Sequence, residues 1–147
     1  MPQLLPSEHV KNILVTDGYQ FVNGPGDWRL YIGKMPLEPD RVITIYDAGG
    51  LAPNPRWLLN YPQVQVRARG SQSDYQLSGQ KVFEVRERLV GKESFTAPSG
   101  DRIVSITGMG DVSFTGWDDA SRPSWVFNLS MITEPTPSTT PTNREPL

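Results

Sequence analysis

Proline and glycine interrupt this chain from end to end, and that spacing limits its possible folds more than any other feature. The 147 residues hold 14 prolines and 13 glycines. Proline removes a backbone donor and glycine favours turns. Short strands and many turns are therefore expected, rather than a helix bundle. The combined share stays below that of low-complexity disorder. A chain of this length fits one domain of common size and can bury a core without disulfides or metal.

Between the interruptions the periodicity is readable. Ser7 to Thr16 predicts a first helix, with Ser7 as its cap and Val10, Ile13 and Leu14 on one stripe. Asp17-Gly18 reads as its stop, and Asn23 to Asp27 as a turn cluster. Trp28 to Lys34 alternates as a half-buried strand. Arg41 to Asp47 is a second strand, ending at Asp47-Ala48-Gly49-Gly50. Leu51 to Pro62 is expected to be an ordered loop, anchored by Trp57, Leu58, Leu59 and Tyr61.

Gln63 to Gly70 is the clearest strand. Val64, Val66 and Ala68 face one way, and Gln65, Arg67 and Arg69 the other. Ser73 to Val90 is the main helix, with Ser73 or Asp74 as cap. Its stripe of Val82, Val85 and Leu89 is widened by Tyr75, Phe83 and Val90. Gly79 weakens that helix, since glycine inside a helix costs about 1 kcal/mol. Three more strands follow at Arg102 to Met109, Asp111 to Trp117 and Trp125 to Thr133. A hairpin or bulge around Gly108 and Gly110 joins the first two, a hairpin being the preferred reading. Asp118 to Pro123 reads as a polar turn. The fold class expected is α+β: a small, mostly antiparallel sheet with two helices packed on it. Residues 1–134 form that domain, and the Pro/Thr-rich residues 135–147 a disordered or extended tail.

Composition removes several kinds of chemistry. There is no cysteine, hence no disulfide, thiolate nucleophile or thiolate metal site. The start, Met-Pro-Gln-Leu-Leu-Pro, lacks a signal peptide's basic and apolar regions. No stretch approaches the roughly 20 apolar residues of a membrane span. A net charge of −2 gives no general attraction to nucleic acid.

His9 is the sole histidine, and a Ser-His-Asp arrangement would have to use it. Beside Ser7 and Glu8 it reads as a solvated or capping residue. Asp118-Asp119 fits a polar turn better than a cation site. Gly108-Met109-Gly110 lacks the pattern of a phosphate loop. Asn128-Leu129-Ser130 matches a glycosylation sequon, a triplet common by chance. Arg67 and Arg69, with Arg86 and Arg88 on the next helix, offer a basic face. A solvated face, or a subunit contact, is the plainer explanation. No catalytic constellation, cofactor site or metal site emerges, and an enzyme is not expected.

One stretch carries a resemblance. Tyr61-Pro62-Gln63-Val64-Gln65-Val66-Arg67-Ala68-Arg69-Gly70, a short polar link, Tyr75, and a helix ending Leu89-Val90-Gly91 follow in order. Before them, Pro36-Leu37-Glu38-Pro39-Asp40 leads into Val42-Ile43-Thr44-Ile45-Tyr46-Asp47-Ala48-Gly49-Gly50. After them, Gly116-Trp117-Asp118-Asp119-Ala120-Ser121-Arg122-Pro123 precedes the last strand. Together these pieces, over roughly residues 5 to 134, resemble the phage minor capsid and tail-terminator (tail-completion) proteins of long-tailed phages.

The resemblance implies a structural virion protein with no catalytic residues. It implies a homo-oligomer, a hexameric ring, that caps the tail tube and meets a head-completion or connector protein. DNA would pass through the lumen without specific binding, at the head–tail junction of the virion. A closed ring needs two different faces on each subunit. Arg67 and Arg69 of one subunit, opposite Asp118 and Asp119 of the next, are the expected contact, with strand addition as the other route. The competing readings are another neck, head-completion or tail tube component, a monomeric ligand-binding domain with a tryptophan-lined pocket, and, least supported, a carboxylate hydrolase.

Overall fold

The computed structural model describes residues 4–16, 28–37, 40–52, 57, 59–97 and 99–134. Helix α1 is Pro6–Thr16 and helix α2 is Tyr75–Leu89. The strands are β1 (Arg29–Ile32), β2 (Val42–Leu51), β3 (Tyr61–Arg69), β4 (Phe95–Thr96), β5 (Arg102–Trp117) and β6 (Pro123–Glu134). They form one sheet in the order β1-β2-β3-β6-β5-β4.

This corrects the expected fold class. In place of a small, mostly antiparallel sheet, the chain builds a six-stranded mixed sheet that dominates the molecule. Two features account for the difference. β1 lies parallel to β2, so the link from Gly33 to Arg41 must cross back over the sheet. β5 runs as one strand of 16 residues where two strands were expected. The Gly108–Gly110 region is a bulge, not a hairpin: the β5–β6 register shifts between Met109 and Ser113. Gly110, at φ 75°, occupies the left-handed backbone that such a bulge demands. The hairpin comes later, at 118–122.

Register explains the layering. Ile43 faces Ala68, Ile45 faces Val66, and Val66 in turn faces Phe127. These residues share one sheet face and are buried there with Val64, Leu129 and Met131. Val10, Ile13 and Leu14 of α1 and Val82, Val85 and Leu89 of α2 close the same core. Both helices therefore lie on one face, as their apolar stripes require. The opposite face carries Thr44, Gln65, Arg67, Asn128 and Ser130.

Several local expectations change in the structure. Ser7 does not cap α1. Its backbone N–H and its hydroxyl donate to the Asp47 carboxylate at 2.9 and 2.7 Å, tying α1 to β2. The Leu5 carbonyl receives the first helical N–H groups, and the Glu8 carboxylate accepts from the Leu5 N–H. β2 continues through Gly49 and Gly50 to Leu51, with a register shift between Asp47 and Gly50. Tyr61 and Pro62, expected in the loop, already belong to β3. Trp57 is exposed rather than an anchor. Tyr75, Phe83 and Val90 are exposed too, so the buried stripe of α2 is narrower than its sequence suggests. Asp74 stands at the α2 cap position but makes no side-chain cap bond. The short strand β4 was not anticipated. The signals at Asp17-Gly18 and Asn23 to Asp27, Leu58, and the tail 135–147 lie outside the described residues.

Candidate functional site

The residues expected at a subunit contact fall into two groups. Arg69 and Asp118 belong to one internal network, built around Arg122. Asp118 opens the β5–β6 turn. Its Oδ1 accepts from the N–H groups of Ala120 and Arg122 at 3.0 and 2.9 Å. Its Oδ2 accepts from Arg122 Nε at 2.8 Å. The other arm of the Arg122 guanidinium reaches the Leu37 carbonyl at 2.6 Å and the Asp40 carboxylate at 3.2 Å. Arg69 donates to the carbonyls of Asp40 and Leu37 at 3.2 and 3.3 Å. The returning link between β1 and β2 is thus pinned to β3 and to the last hairpin by two buried arginines.

The electrostatics follow from this crowding. Burial opposes the Asp118 charge, but its hydrogen bonds from Arg122 and Ala120 more than compensate. Its carboxyl titrates below the usual range. Burial, with the neighbouring Arg122 charge, pushes the Arg69 guanidinium below its ordinary value. Arg67 and Asp119 stand outside this network. Arg67 is half-buried on the polar sheet face, opposite Thr44 and Val126 in register. Asp119 is exposed at the tip of the turn. The basic strand face read from the sequence is therefore divided, with one arginine presented and the other used internally.

A second carboxylate–arginine pair joins β2 to α2. Arg41 Nε and Nη2 donate to the two oxygens of Asp74 at 2.7 and 3.3 Å. Asp74 also accepts from the Ser71 N–H at 3.0 Å. Burial raises its pKa, and these bonds outweigh that, so Asp74 too lies below its ordinary range. On the outer side of α2, Arg86 pairs with Asp111 of the β5 bulge.

His9 is neither solvated nor a cap. It is buried in α1 with its Nε2 at 3.2 Å from Asp101 Oδ2, itself buried. The partner is 92 residues away in sequence, and no local pattern reveals it. A cavity of about 350 Å³ beside it is lined by Asn12, Ile13, Thr16, Lys92 and Phe95. It holds no tryptophan. Among the described residues, no group of His, Asp and Glu is placed to hold a metal ion.

Sequence reading also missed an aromatic platform. Tyr75, the first residue of α2, stacks near-parallel on Trp117, with centroids 6.0 Å apart and planes at 25°. Phe114 meets both edge-on, at 5.0 and 5.7 Å. Trp125 lies against Tyr75 and Phe114, at 5.1 and 5.3 Å. Register explains the grouping. Phe114 faces Trp125 and Trp117 faces Pro123, on the sheet face that α2 covers. The helix begins at Tyr75, and the apolar face emerges beyond it. Trp117 is 54% exposed and Tyr75 43%. Aromatic residues left open in this way characterise protein contact surfaces.

Exposed charged and aromatic groups of this chain thus lie on outer faces of a sheet-and-helix scaffold. A family model described as bacteriophage tail terminator protein matches residues 22–135. That is well over half of the chain, and the chain belongs to this family. It is a structural protein of a phage tail and works with other tail components. No curated protein matches the chain. No helix among the described residues is long and apolar enough to cross a membrane.

Proposed function

We infer that copies of this chain close into a ring, a hexamer, that caps the tail tube and joins it to the head connector. The observation that carries this reading is the family match across residues 22–135. Residues 1–134 act as one unit of that ring, at the head–tail junction. The role is structural rather than catalytic. DNA passes through the lumen without being read, which suits a net charge of −2.

The contact between subunits is heterologous. Arg67 and Asp119 provide the opposite charges at its surface. Arg69 and Asp118 stand behind them and fix the strand and the turn that present them. Strand addition is the less favoured route. Beyond β4, the outer edge of β5 is interrupted by register shifts at Met109/Ser113 and Phe114/Gly116. Bulges of this kind discourage edge-to-edge pairing.

The test is molar mass by light scattering over a wide concentration range, alone and with purified tail tubes. A mass near six subunits, or rings seen on tube ends, is expected. Arg67→Glu should shift the protein toward monomer, and adding Asp119→Arg should restore rings. Monomers that never join tail tubes would overturn the ring, and unchanged assembly of Arg67→Glu would overturn the contact.

A further inference from the structure

The cavity beside His9 is walled on two sides. One face of α1 forms the first wall: His9, Asn12, Ile13 and Thr16 stand at i, i+3, i+4 and i+7. Lys92, Phe95 and Ala97, from the segment between α2 and β5, form the second. His9, Ile13 and Ala97 are only 4%, 5% and 7% exposed and make the floor. Asn12 and Thr16 are exposed, and Lys92 and Phe95 half-buried, so these four make the rim. The volume, about 350 Å³, falls within the range of small-ligand pockets, which are mostly apolar with a few polar groups.

The polar groups of this cavity select the sign of the ligand's charge. Lys92 stands at its rim, with its ammonium 5.6 Å from the Phe95 ring centroid. That ammonium makes no ion pair among the described residues. No carboxylate lines the cavity among the described residues either. Asp101 lines a separate cavity of about 200 Å³, which His9 also borders, and is engaged there by His9 Nε2. His9 Nδ1 has no hydrogen-bond partner among the described residues, which leaves that nitrogen open to a ligand. A cationic ligand would meet Lys92 with like charge. A wholly apolar one would cover the ammonium without replacing its water, at a cost. An apolar body with a negative end satisfies both walls and rim.

We propose that the cavity between α1 and β4 binds a small apolar carboxylate, taken up as a free acid anion. Its body packs on Ile13, Phe95 and Ala97, and its carboxylate accepts from Lys92. Burial of the body supplies affinity, and the charge-assisted hydrogen bond supplies orientation. The site stands apart from the ring contact, since neither Arg67 nor Asp119 lines it.

The experiment uses the full chain with carbon-13 at histidine Cε1. His9 is the sole histidine, so a single ring signal in the NMR spectrum reports on the site. Octanoate is titrated in, with octanol and octylamine as controls of equal chain length. A saturable shift of the His9 signal is expected with octanoate. Octanol and octylamine should bind about tenfold more weakly, the worth of one hydrogen bond to a charged group. Lys92→Met keeps the apolar stem and removes the charge. It should lower octanoate affinity to that of octanol and leave the urea midpoint unchanged. A His9 signal that stays still throughout the octanoate titration would overturn the proposal. So would octanol binding as tightly as octanoate, or undiminished octanoate affinity in Lys92→Met.

Discussion

Gly79 of α2 lies directly against the indole of Trp125 on β6: a Cβ built on Gly79 would sit 3.1 Å from Cε2 and Cζ2 of that ring. The glycine that weakens the helix in sequence terms is what lets the helix close on the sheet. A larger side chain should force helix and sheet apart. Gly79→Val is expected to destabilise the protein by about 1–3 kcal/mol, the usual range for overpacking. Urea denaturation measures the loss, and a red shift of tryptophan emission would report a loosened Trp125. Equal or greater stability would mean that the contact yields easily.

Thr44 presents the opposite case, a polar atom left unbonded among the described residues. The residue is fully buried, and its Oγ1 has no hydrogen-bond partner among the described residues. A buried unsatisfied hydroxyl costs about 1–3 kcal/mol, whereas an apolar group of the same shape does not. Thr44→Val should therefore leave stability unchanged or raise it by about 1 kcal/mol. The urea midpoint decides; a marked fall would reveal a partner for the hydroxyl.

Acid should weaken the fold through two carboxylates. Asp74 and Asp118 both titrate below their ordinary range in the folded protein. Their charged forms thus add stability above the unfolded carboxylate pKa of about 3.9. That contribution disappears as pH falls through the lower folded values. Stability should be level between about pH 7 and pH 5 and drop steeply below about pH 4. Asp118→Asn should lower stability at neutral pH and flatten the acid slope. A wild-type curve that stays level down to pH 2.5 would contradict this account.

Local patterns in the sequence were informative where one short segment decides the outcome. Strand β3 was legible because Val64, Val66 and Ala68 alternate with polar residues, and helix α2 because Val82, Val85 and Leu89 share a stripe. Features set by distant partners were not. Gly108 and Gly110 look alike in a hairpin and a bulge; pairing of β5 with β6 on both sides of them decides. Nothing local marks β1 as parallel to β2. Ser7 resembles a cap until Asp47, 40 residues on, takes its hydroxyl.

The candidate site divided along the same line. Arg67 is half-buried on the polar sheet face and Asp119 is exposed at the turn, both outside the Arg122 network. Arg69 and Asp118 carry the same charges but are engaged by Leu37, Asp40 and Arg122. The platform was invisible because Tyr75 and Trp117 lie far apart in sequence and meet only across the helix–sheet boundary. Only the register of β5 on β6 places Phe114 and Trp125 beneath them.

The place of β6 has a consequence for the life of the chain before assembly. It follows every other strand in sequence, yet it lies between β3 and β5 in the sheet. A nascent chain that has emerged as far as β5 holds two open strand edges and no means to join them. Only when residues 123–134 leave the ribosome do the halves become one surface. Prematurely ended chains therefore lack the strand that joins β3 to β5. A chain that stops before residue 123 cannot close the six-stranded sheet.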